Sequence, residues 1–411
     1  MNITVWGINY APEQTGIAPY NTALCEFLQR QGHTVRMVTS FAYYPAWQKR
    51  PEDRGRLFRT EEVNGVTVDR CWHYVPRRPG TLKRILHEAS FTGGSLVRLL
   101  GLPRSDVVVV VSPPLLLGAA AWLLTRIKAA PVVFHVQDMQ PDAALGLGML
   151  KPGVFMRLLY ALESFAYKRA ARVSAISRGM LATMTLKGVP ARKLIYFPNG
   201  VVLPEGKPGA GGFRVRHGLG SGDFVAVYSG NLGAKQGLEV LVEAARAITD
   251  PRIQIVICGD GVMRPRLEAR VRELRLNNVR LLELQSEDRY VEMLVAANIT
   301  LVTQQSGSGA FFFPSKLLRS LALARPVLTV ADEASELARA LAEGRFGVNV
   351  VPGRAEELAR VLEGLAAAPE RLSALGEAGR RFVEQFEQER VLGRFAAQLA
   401  ELAATAGGRR G

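Results

Sequence analysis

The sequence predicts an α/β chain made of two doubly wound parallel-sheet domains, and three observations carry that reading. A strand, loop, helix, strand unit opens the chain at Ile3. Valine-rich segments continue the alternation through the first half, and a second strand-helix series restarts at Phe224 after a Gly/Pro-rich gap. Strands that alternate with helices form parallel sheets through crossover connections.

Taken in order, Ile3–Trp6 is an apolar strand ending at Gly7, followed by the loop GINYAPEQTGIAPY. Asn21–Gln31 reads as a helix with Leu24, Phe27 and Leu28 on one face and Gly32 just past its end. Thr34–Val38 is the next strand, and Val107–Val111, Val132–Val136 and Val173–Ile176 are further buried ones. Helices lie near Leu115–Lys128 and Phe155–Arg169. The uncharged run Val107–Thr125 is long enough to raise a membrane span. Pro113 and Pro114 split it, so a strand, a turn and an apolar helix explain it better.

Asn199–Gly212 holds five Gly and two Pro and reads as an interdomain linker. It places a first domain at 1–200 and a second at 201–387, with a helix near 388–405 expected to return to the first. In the second domain Phe224–Tyr228, Ile253–Cys258, Val279–Leu282, Ile299–Thr303 and Pro326–Val330 are strands. Leu238–Ile248, Met263–Leu276, Tyr290–Ala296 and a segment from Ser315 are helices. Open parallel sheets place ligands at the carboxyl ends of their strands, so a cleft between the two domains is the expected site.

Composition narrows the function. With 48% apolar and 22% charged residues the chain is globular rather than disordered. Cys25, Cys71 and Cys258 are too few for a disulfide framework or a thiolate metal site, and no two of the five histidines are spaced as HxxxH. MNITVWGINY lacks a basic segment followed by an apolar run, so no signal peptide is expected and the reducing cytoplasm is the default. Residues 1–200 carry a net charge of +13 and residues 201–411 only +2. The first half therefore attracts anionic membrane, nucleic acid or phosphorylated ligands, although no nucleic-acid-binding module is visible.

Several loops could carry chemistry. Ser229–Gly237, SGNLGAKQG, joins a strand to a helix. Its glycines permit close backbone approach, the helix start offers N–H groups, and Lys235 adds a charge, a combination suited to phosphate. A tight turn with a solvated lysine is the plainer reading. GDGVMR, Gly259–Arg264, has Arg264 where a dinucleotide fingerprint needs its third glycine, so a turn beside a nucleotide fits better than a nicotinamide site. In SGSGAFFFPSKLL, Ser315 is a helix-capping residue and Lys316 sits in the first turn. A cation there opposes the helix dipole unless an anion occupies the helix start; the alternative is a lysine pointing to solvent.

In HVQDMQPD, His135 and Gln137 share a strand face, and Asp138 and Asp142 follow at its carboxyl end. His135 is either a cleft residue or a satisfied core histidine. Glu13, with Gly16 behind it, is either an acid in the cleft or a surface carboxylate. No Asp-x-Asp occurs, so protein cations and helix starts, not a divalent metal, are expected to neutralise a diphosphate. Trp72–Phe91 is basic and aromatic. From Thr81 it reads as an amphipathic helix with Leu82, Ile85, Leu86 and Ala89 on one side and Lys83, Arg84 and His87 on the other. With Arg77 and Arg78 it suits an anionic membrane surface; packing on its own domain is the other reading.

These segments together resemble the family 4 GT-B glycosyltransferases, and more narrowly their WcaI/WbuB-type subgroup of bacterial polysaccharide assembly. GINYAPEQTGIAPYN, YVPRRPGTLKRILHEASF, HVQDMQPDAALGLGML, YFPNG, YSGNLGAKQGLE and PSKLL carry the likeness, in order over residues 7–318. The resemblance implies two Rossmann-like domains facing a central cleft, with the acceptor and membrane side in the first and the nucleotide-sugar donor in the second. It implies that Gly16 lines the donor diphosphate. It implies that His135, Gln137 and Asp138 touch the donor sugar. Gly230, Asn231 and Lys235 would form the phosphate loop, and Ser315 and Lys316 would lie near the diphosphate and ribose. Departures stand beside these. Asn231 and Gln236 replace the family's usual arginine and lysine, and Phe312 and Arg319 fall where a pair of glutamates is usual.

The expected activity is therefore retaining, metal-independent transfer of a sugar of the fucose or N-acetylhexosamine type. The donor would be a nucleotide-diphosphate sugar and the acceptor a lipid-linked saccharide of exopolysaccharide or O-antigen assembly. The expected place is the cytoplasmic face of the inner membrane, held peripherally by an anionic lipid surface, with no nucleic acid partner, no metal and no cofactor. His135, Asp138 and Glu13 are the candidate catalytic residues. Gly16, Gly230, Asn231, Lys235, Gly259, Ser315, Lys316 and Arg319 are the candidate donor-binding residues, and Arg77, Arg78, Lys83 and Arg84 the membrane and acceptor face. Two alternatives stay open: a nucleotide-sugar 2-epimerase of the same fold, and a membrane adaptor without chemistry.

Overall fold

The computed structural model describes residues 1–411 except 79, 147–152, 207–208, 210–211, 308–314 and 408–411. Two compact units divide the chain: Met1–Asn199 with Glu389–Gly411, and Gly200–Gln388.

The first unit holds an eight-stranded sheet: β1 (Asn2–Trp6), β2 (Thr34–Ser40), β3 (Phe58–Val63), β4 (Val66–Cys71), β5 (Val107–Ser112), β6 (Val132–Val136), β7 (Arg172–Ala175) and β8 (Leu194–Tyr196). The order is β3-β4-β2-β1-β5-β6-β7-β8, and only β3 runs antiparallel to its neighbour. β5 and β6 are buried along their whole length because helices cover both faces of a parallel sheet, which is why they read as unbroken apolar runs. Strand order reverses between β1 and β5, so the loops after these two strands flank the switch point.

The β3–β4 hairpin was not expected. Its turn is Asn64-Gly65, both at positive φ, as a tight hairpin requires. β3, FRTEEV, is a polar edge strand with little buried surface, so no apolar run announces it. The C-terminal helix Gln388–Gly407 contributes Val391, Leu392, Phe395 and Leu399 to the core formed by Leu24, Leu28, Val109 and Phe197. Phe395 stacks on Phe197 with ring centroids 3.8 Å apart.

The helix Thr81–Leu100 corrects the expected amphipathic pattern. Its buried residues are His87, Phe91, Ser95 and Leu99. Leu82, Ile85 and Leu86 are exposed, as are Lys83 and Arg84. The inward stripe is set by contacts further along the helix, and Trp6 Nε1 donates to Ser95 Oγ there at 2.9 Å. The apolar and basic residues of its first turns therefore both face outward.

The second unit is a six-stranded, wholly parallel sheet: β9 (Phe224–Ser229), β10 (Ile253–Cys258), β11 (Val279–Leu282), β12 (Ile299–Thr303), β13 (Val327–Val330) and β14 (Gly347–Val350). The order β11-β10-β9-β12-β13-β14 puts its switch point between β9 and β12. The expected linker begins as packed backbone. Val201 is buried, its N–H donates to the Phe386 carbonyl, and its carbonyl accepts from the Gln388 N–H. Among the described residues no helix is long and apolar enough to cross a membrane.

Candidate functional site

In the second unit the carboxyl ends of β9, β10 and β12 converge on a glycine-built surface. Gly230, just after β9, has φ +142°, and Gly259, just after β10, has φ +140°. The two approach so closely that a Cβ on Gly259 would lie 1.9 Å from the Gly230 carbonyl oxygen. The Gly230 N–H donates to the Cys258 carbonyl at 2.9 Å and the Leu232 N–H to the Asp260 carbonyl at 2.8 Å. These bonds fix the loop Gly230–Gly237 against GDG. On its other side the Gln305 N–H donates to the Lys235 carbonyl at 2.8 Å, tying in the chain after β12. The sequence-predicted phosphate loop is thus a rigid backbone surface at the switch point.

Lys316 reaches this surface from the first turn of the helix Ser315–Ala322. Its Nζ donates to Tyr228 Oη at 2.9 Å and lies 4.1 Å from the centre of that ring. It lies 2.8 Å from where a Cβ of Gly230 would be, so the missing side chain there is what admits the ammonium. Among the described residues no carboxylate pairs with it. Burial, with the Lys235 charge nearby, lowers its pKa from 10.5 to about 7. Tyr228 Oη in turn donates to the Asn231 carbonyl at 2.9 Å, and burial raises its phenol above the usual range. Gln236 Oε1, in the loop, and Thr303 Oγ1, at the end of β12, are buried without a hydrogen-bond partner among the described residues. Buried polar atoms left unpaired in this way fit a hydroxyl-bearing or amide-bearing ligand.

Gly230, Asn231, Lys235, Gly259 and Lys316 therefore come together. Ser315 begins the same helix. Arg319 does not join them: its guanidinium bonds Glu287 and lies 5.6 Å from the Tyr290 ring centre. An ion pair with Glu287 accounts for an arginine on that helix. Phe312 lies outside the described residues.

At the carboxyl edge of the first sheet, Glu13 is buried, not a surface carboxylate. Its Oε1 accepts from the Tyr43 and Tyr44 N–H groups, both at 2.8 Å, and its Oε2 from Asn9 Nδ2 at 2.8 Å. Burial raises its pKa, against those three hydrogen bonds. Glu13 thus clamps the loop after β1 to the loop after β2. Gly16 lies against Tyr44, where a Cβ would meet the ring at 3.5 Å.

His135 corrects the expectation of a catalytic histidine. It is 1% exposed, with Nδ1 2.9 Å from Ser174 Oγ and Nε2 3.0 Å from Gln137 Nε2. Phe197 packs on it at 4.8 Å, and burial drops its pKa to about 3. It is a neutral core residue, and it orients Gln137, whose amide also donates to Asn199 Oδ1 at 3.1 Å. Asp138 is half-buried at the strand end. Asp142 turns to Lys187, which also holds Glu163 at 2.6 Å. Arg77, Arg78, Lys83 and Arg84 are all exposed, and Arg84 lies 5.6 Å from the Trp47 ring centre.

Sequence reasoning passed over Tyr228, Tyr43, Trp47 and Glu88. Tyr228 closes a strand that reads as core. Tyr43 and Trp47 come from the loop after β2 and Glu88 from the helix Thr81–Leu100, far apart in the sequence. Among the described residues no group of three His, Cys, Asp or Glu is placed to hold a metal ion.

Comparison with known proteins adds to this geometry. Residues 15–200 match the family described as glycosyl transferase 4-like domain, and residues 213–382 match glycosyl transferases group 1. The chain is 36% identical over 346 residues to the glycosyl transferase of Escherichia coli (strain K12) named for colanic acid biosynthesis, WcaI, covering 82% of this chain and 85% of that one. Sucrose-phosphate synthase from Thermosynechococcus elongatus superposes with a TM-score of 0.78 at 18% identity, over 98% of this chain and 99% of that one. HepE of Anabaena, solved in complex with UDP-glucose, gives a TM-score of 0.71 at 14% identity, over 98% and 100%. At such identities these two likenesses speak for the fold.

Proposed function

From a chain that belongs to the group 1 glycosyltransferases, on the two-domain parallel-sheet GT-B fold, we propose a specific reaction. The protein transfers a sugar from a nucleotide-diphosphate donor to a lipid-linked saccharide in bacterial polysaccharide assembly. The observation that carries this is Lys316: a buried ammonium on a glycine surface, facing a phenol and a second lysine and, among the described residues, no carboxylate. A diphosphate supplies the missing anion. Lys316, Lys235 and the loop N–H groups then stabilise the charge that gathers on the leaving diphosphate as the anomeric bond breaks. Two fixed cations take the part a divalent metal plays elsewhere, so the reaction proceeds without one, and the family resemblance favours retention of configuration.

The relative named for colanic acid biosynthesis supports the polysaccharide setting. The outward Leu82, Ile85 and Leu86 beside Arg77, Arg78, Lys83 and Arg84 suit the surface of an anionic bilayer, where a lipid-linked acceptor resides.

The test is a thermal-shift panel of GDP, UDP, dTDP and their fucose and N-acetylhexosamine conjugates in EDTA. Binding at ~100 times Kd stabilises by about 2.7 kcal/mol, so the matching base stands out in wild type and fails in Lys316→Ala. No shift with any nucleotide overturns the donor assignment. Release of a free epimerised sugar nucleotide without acceptor points to an epimerase instead.

A further inference from the structure

Tyr228 lies near the carboxyl end of β9, and its ring belongs to the core of the second unit with Ala226, Leu232 and Leu238. Packing alone would be served as well by phenylalanine, because a hydroxyl in a core costs free energy unless it is bonded. This hydroxyl is bonded twice, and both bonds leave the core for the glycine surface. Oη donates to the Asn231 carbonyl at 2.9 Å and accepts from Lys316 Nζ at 2.9 Å. Burial raises the phenol above its usual range, so the proton stays on the oxygen. With that proton given to Asn231, the oxygen can only accept from the lysine.

The lysine is confined from two further sides. Its Nζ lies 4.1 Å from the centre of the same ring, a contact that favours a cation. On the loop side, Gly230 lacks the Cβ that would stand 2.8 Å from Nζ. One N–H of the ammonium is thus fixed on Tyr228, and the other two have no hydrogen-bond acceptor among the described residues. The groups around the amine pull in opposite directions. Burial and the charge of Lys235 favour the neutral form. An oxygen that can only accept, and the face of a ring, favour the charged one. Among the described residues no carboxylate adds to that side.

We propose that Tyr228 is a positioning residue for the transfer: its hydroxyl fixes the place of the Lys316 ammonium on the glycine loop and helps to keep it protonated, so that the cation is set before a diphosphate arrives. This rests on the transferase reading above, in which Lys316 meets the leaving diphosphate. Tyr228 acts only through the lysine. Because Oη also holds the Asn231 carbonyl, the same side chain ties the cation to the loop that shares its ligand.

The test variant is Tyr228→Phe, which keeps the ring and the core volume and removes only the oxygen. Two measurements on the full chain read it. In the first, the lysine amines are titrated by nitrogen NMR without ligand, and the resonance missing from Lys316→Met identifies Lys316. Its midpoint is expected about one pH unit lower in Tyr228→Phe than in wild type, the scale of a lost hydrogen bond to a charged group. In the second, calorimetry in EDTA at pH 7 follows inorganic pyrophosphate, GDP, UDP and dTDP on wild type, the two single variants and the double variant. Tyr228→Phe should weaken binding about tenfold in the wild-type background. In the Lys316→Met background it should weaken binding by less than about twofold, since no ammonium is left to position. A residue that only held the fold would weaken both backgrounds alike. Equal Lys316 midpoints in wild type and Tyr228→Phe, or equal weakening in the two backgrounds, overturn the positioning role, while binding of any probe to wild type leaves the donor reading standing. No binding of any probe to wild type sinks the donor reading instead. The ligand-free titration then decides the phenol–lysine coupling by itself: a lowered midpoint keeps it and equal midpoints remove it.

Discussion

The carboxyl edges of the two sheets are made of opposite materials. In the first unit, side chains hold one another: Glu13 accepts three hydrogen bonds, His135 bridges Ser174 and Gln137, and Glu88 is aimed by Gln140. In the second unit, backbone approaches backbone through Gly230 and Gly259, and the amine of Lys316 has a phenol but, among the described residues, no anion. Hydrogen bonds completed within the protein stabilise the fold by themselves. A buried cation without a counter-charge costs the free protein stability and is completed by a ligand. The contrast is what the proposed anion binding at the second edge rests on, while the first edge is held chiefly by contacts within the protein.

The largest effect should follow from filling the glycine contact. Gly259→Ala sets a methyl group 1.9 Å from the Gly230 carbonyl, a backbone atom that cannot swing aside, at φ +140°. A loss of about 3–5 kcal/mol is expected in the second unit from combined strain and overpacking. Two-transition thermal melts should show one transition falling and the nucleotide shift vanishing with it. An unchanged melt would mean that the two loops do not touch.

Next comes Lys316→Met, which should weaken nucleotide binding by about 100-fold, the scale of a charge-assisted contact, yet stabilise the free protein. In the folded state the amine loses its proton near pH 7, in the unfolded state near 10.5. Between those values the unfolded chain holds a proton the folded one lacks, so wild-type stability rises with pH across that window. The gain of the methionine variant is therefore fullest below pH 7, about 1–4 kcal/mol, and shrinks toward pH 10. Nucleotide affinity in wild type should fall as pH climbs through 7, because the deprotonated amine no longer attracts the diphosphate. Calorimetric titrations at pH 6 and 8.5 check this, and a flat affinity profile would remove Lys316 from the site.

These two edges were not equally legible. The edge proposed for the donor follows a local rule, in which a strand end, glycines, a helix start and a lysine lie within one short segment, so SGNLGAKQG and PSKLL are readable one residue at a time. Tyr228 escaped because its position in the strand marks it as core, and only the fold shows Lys316 lying across it. At the other edge no local rule applies. Tyr43, His87, Glu88 and Gln140 meet because β2, β6 and one long helix end at the same place. Period two correctly set His135 and Gln137 on one face, but it says nothing about depth. Phe197 and the returning Phe395 bury the histidine, and both arrive from elsewhere in the chain. The helix from Thr81 shows the converse error. Its leucines look like a core stripe, yet the residues that pack are His87, Phe91, Ser95 and Leu99, which include two polar groups no hydropathy pattern would choose.

The smallest expected effect sharpens what kind of group Glu13 is. If it is a clamp, its shape should matter more than its charge. Glu13→Gln keeps a carbonyl oxygen for the Tyr43 and Tyr44 N–H groups, and Asn9 can turn its own carbonyl toward the new amide, so a loss within about 1 kcal/mol is expected. Glu13→Ala strands two buried N–H groups and should cost about 2–3 kcal/mol. The pH dependence separates clamp from charge. Burial raises the folded carboxyl above its ordinary 4.5, so just above that pH the folded chain keeps a proton the unfolded one has released. This group's contribution therefore weakens as pH rises through that window, and the slope should vanish in Glu13→Gln. Denaturant melts of wild type and both variants from pH 4 to 7 measure it. If Glu13→Gln instead matched Glu13→Ala, the charge itself would be what the first edge requires, and the contrast between an edge held by neutral hydrogen bonding and one built around a charge would have to be abandoned.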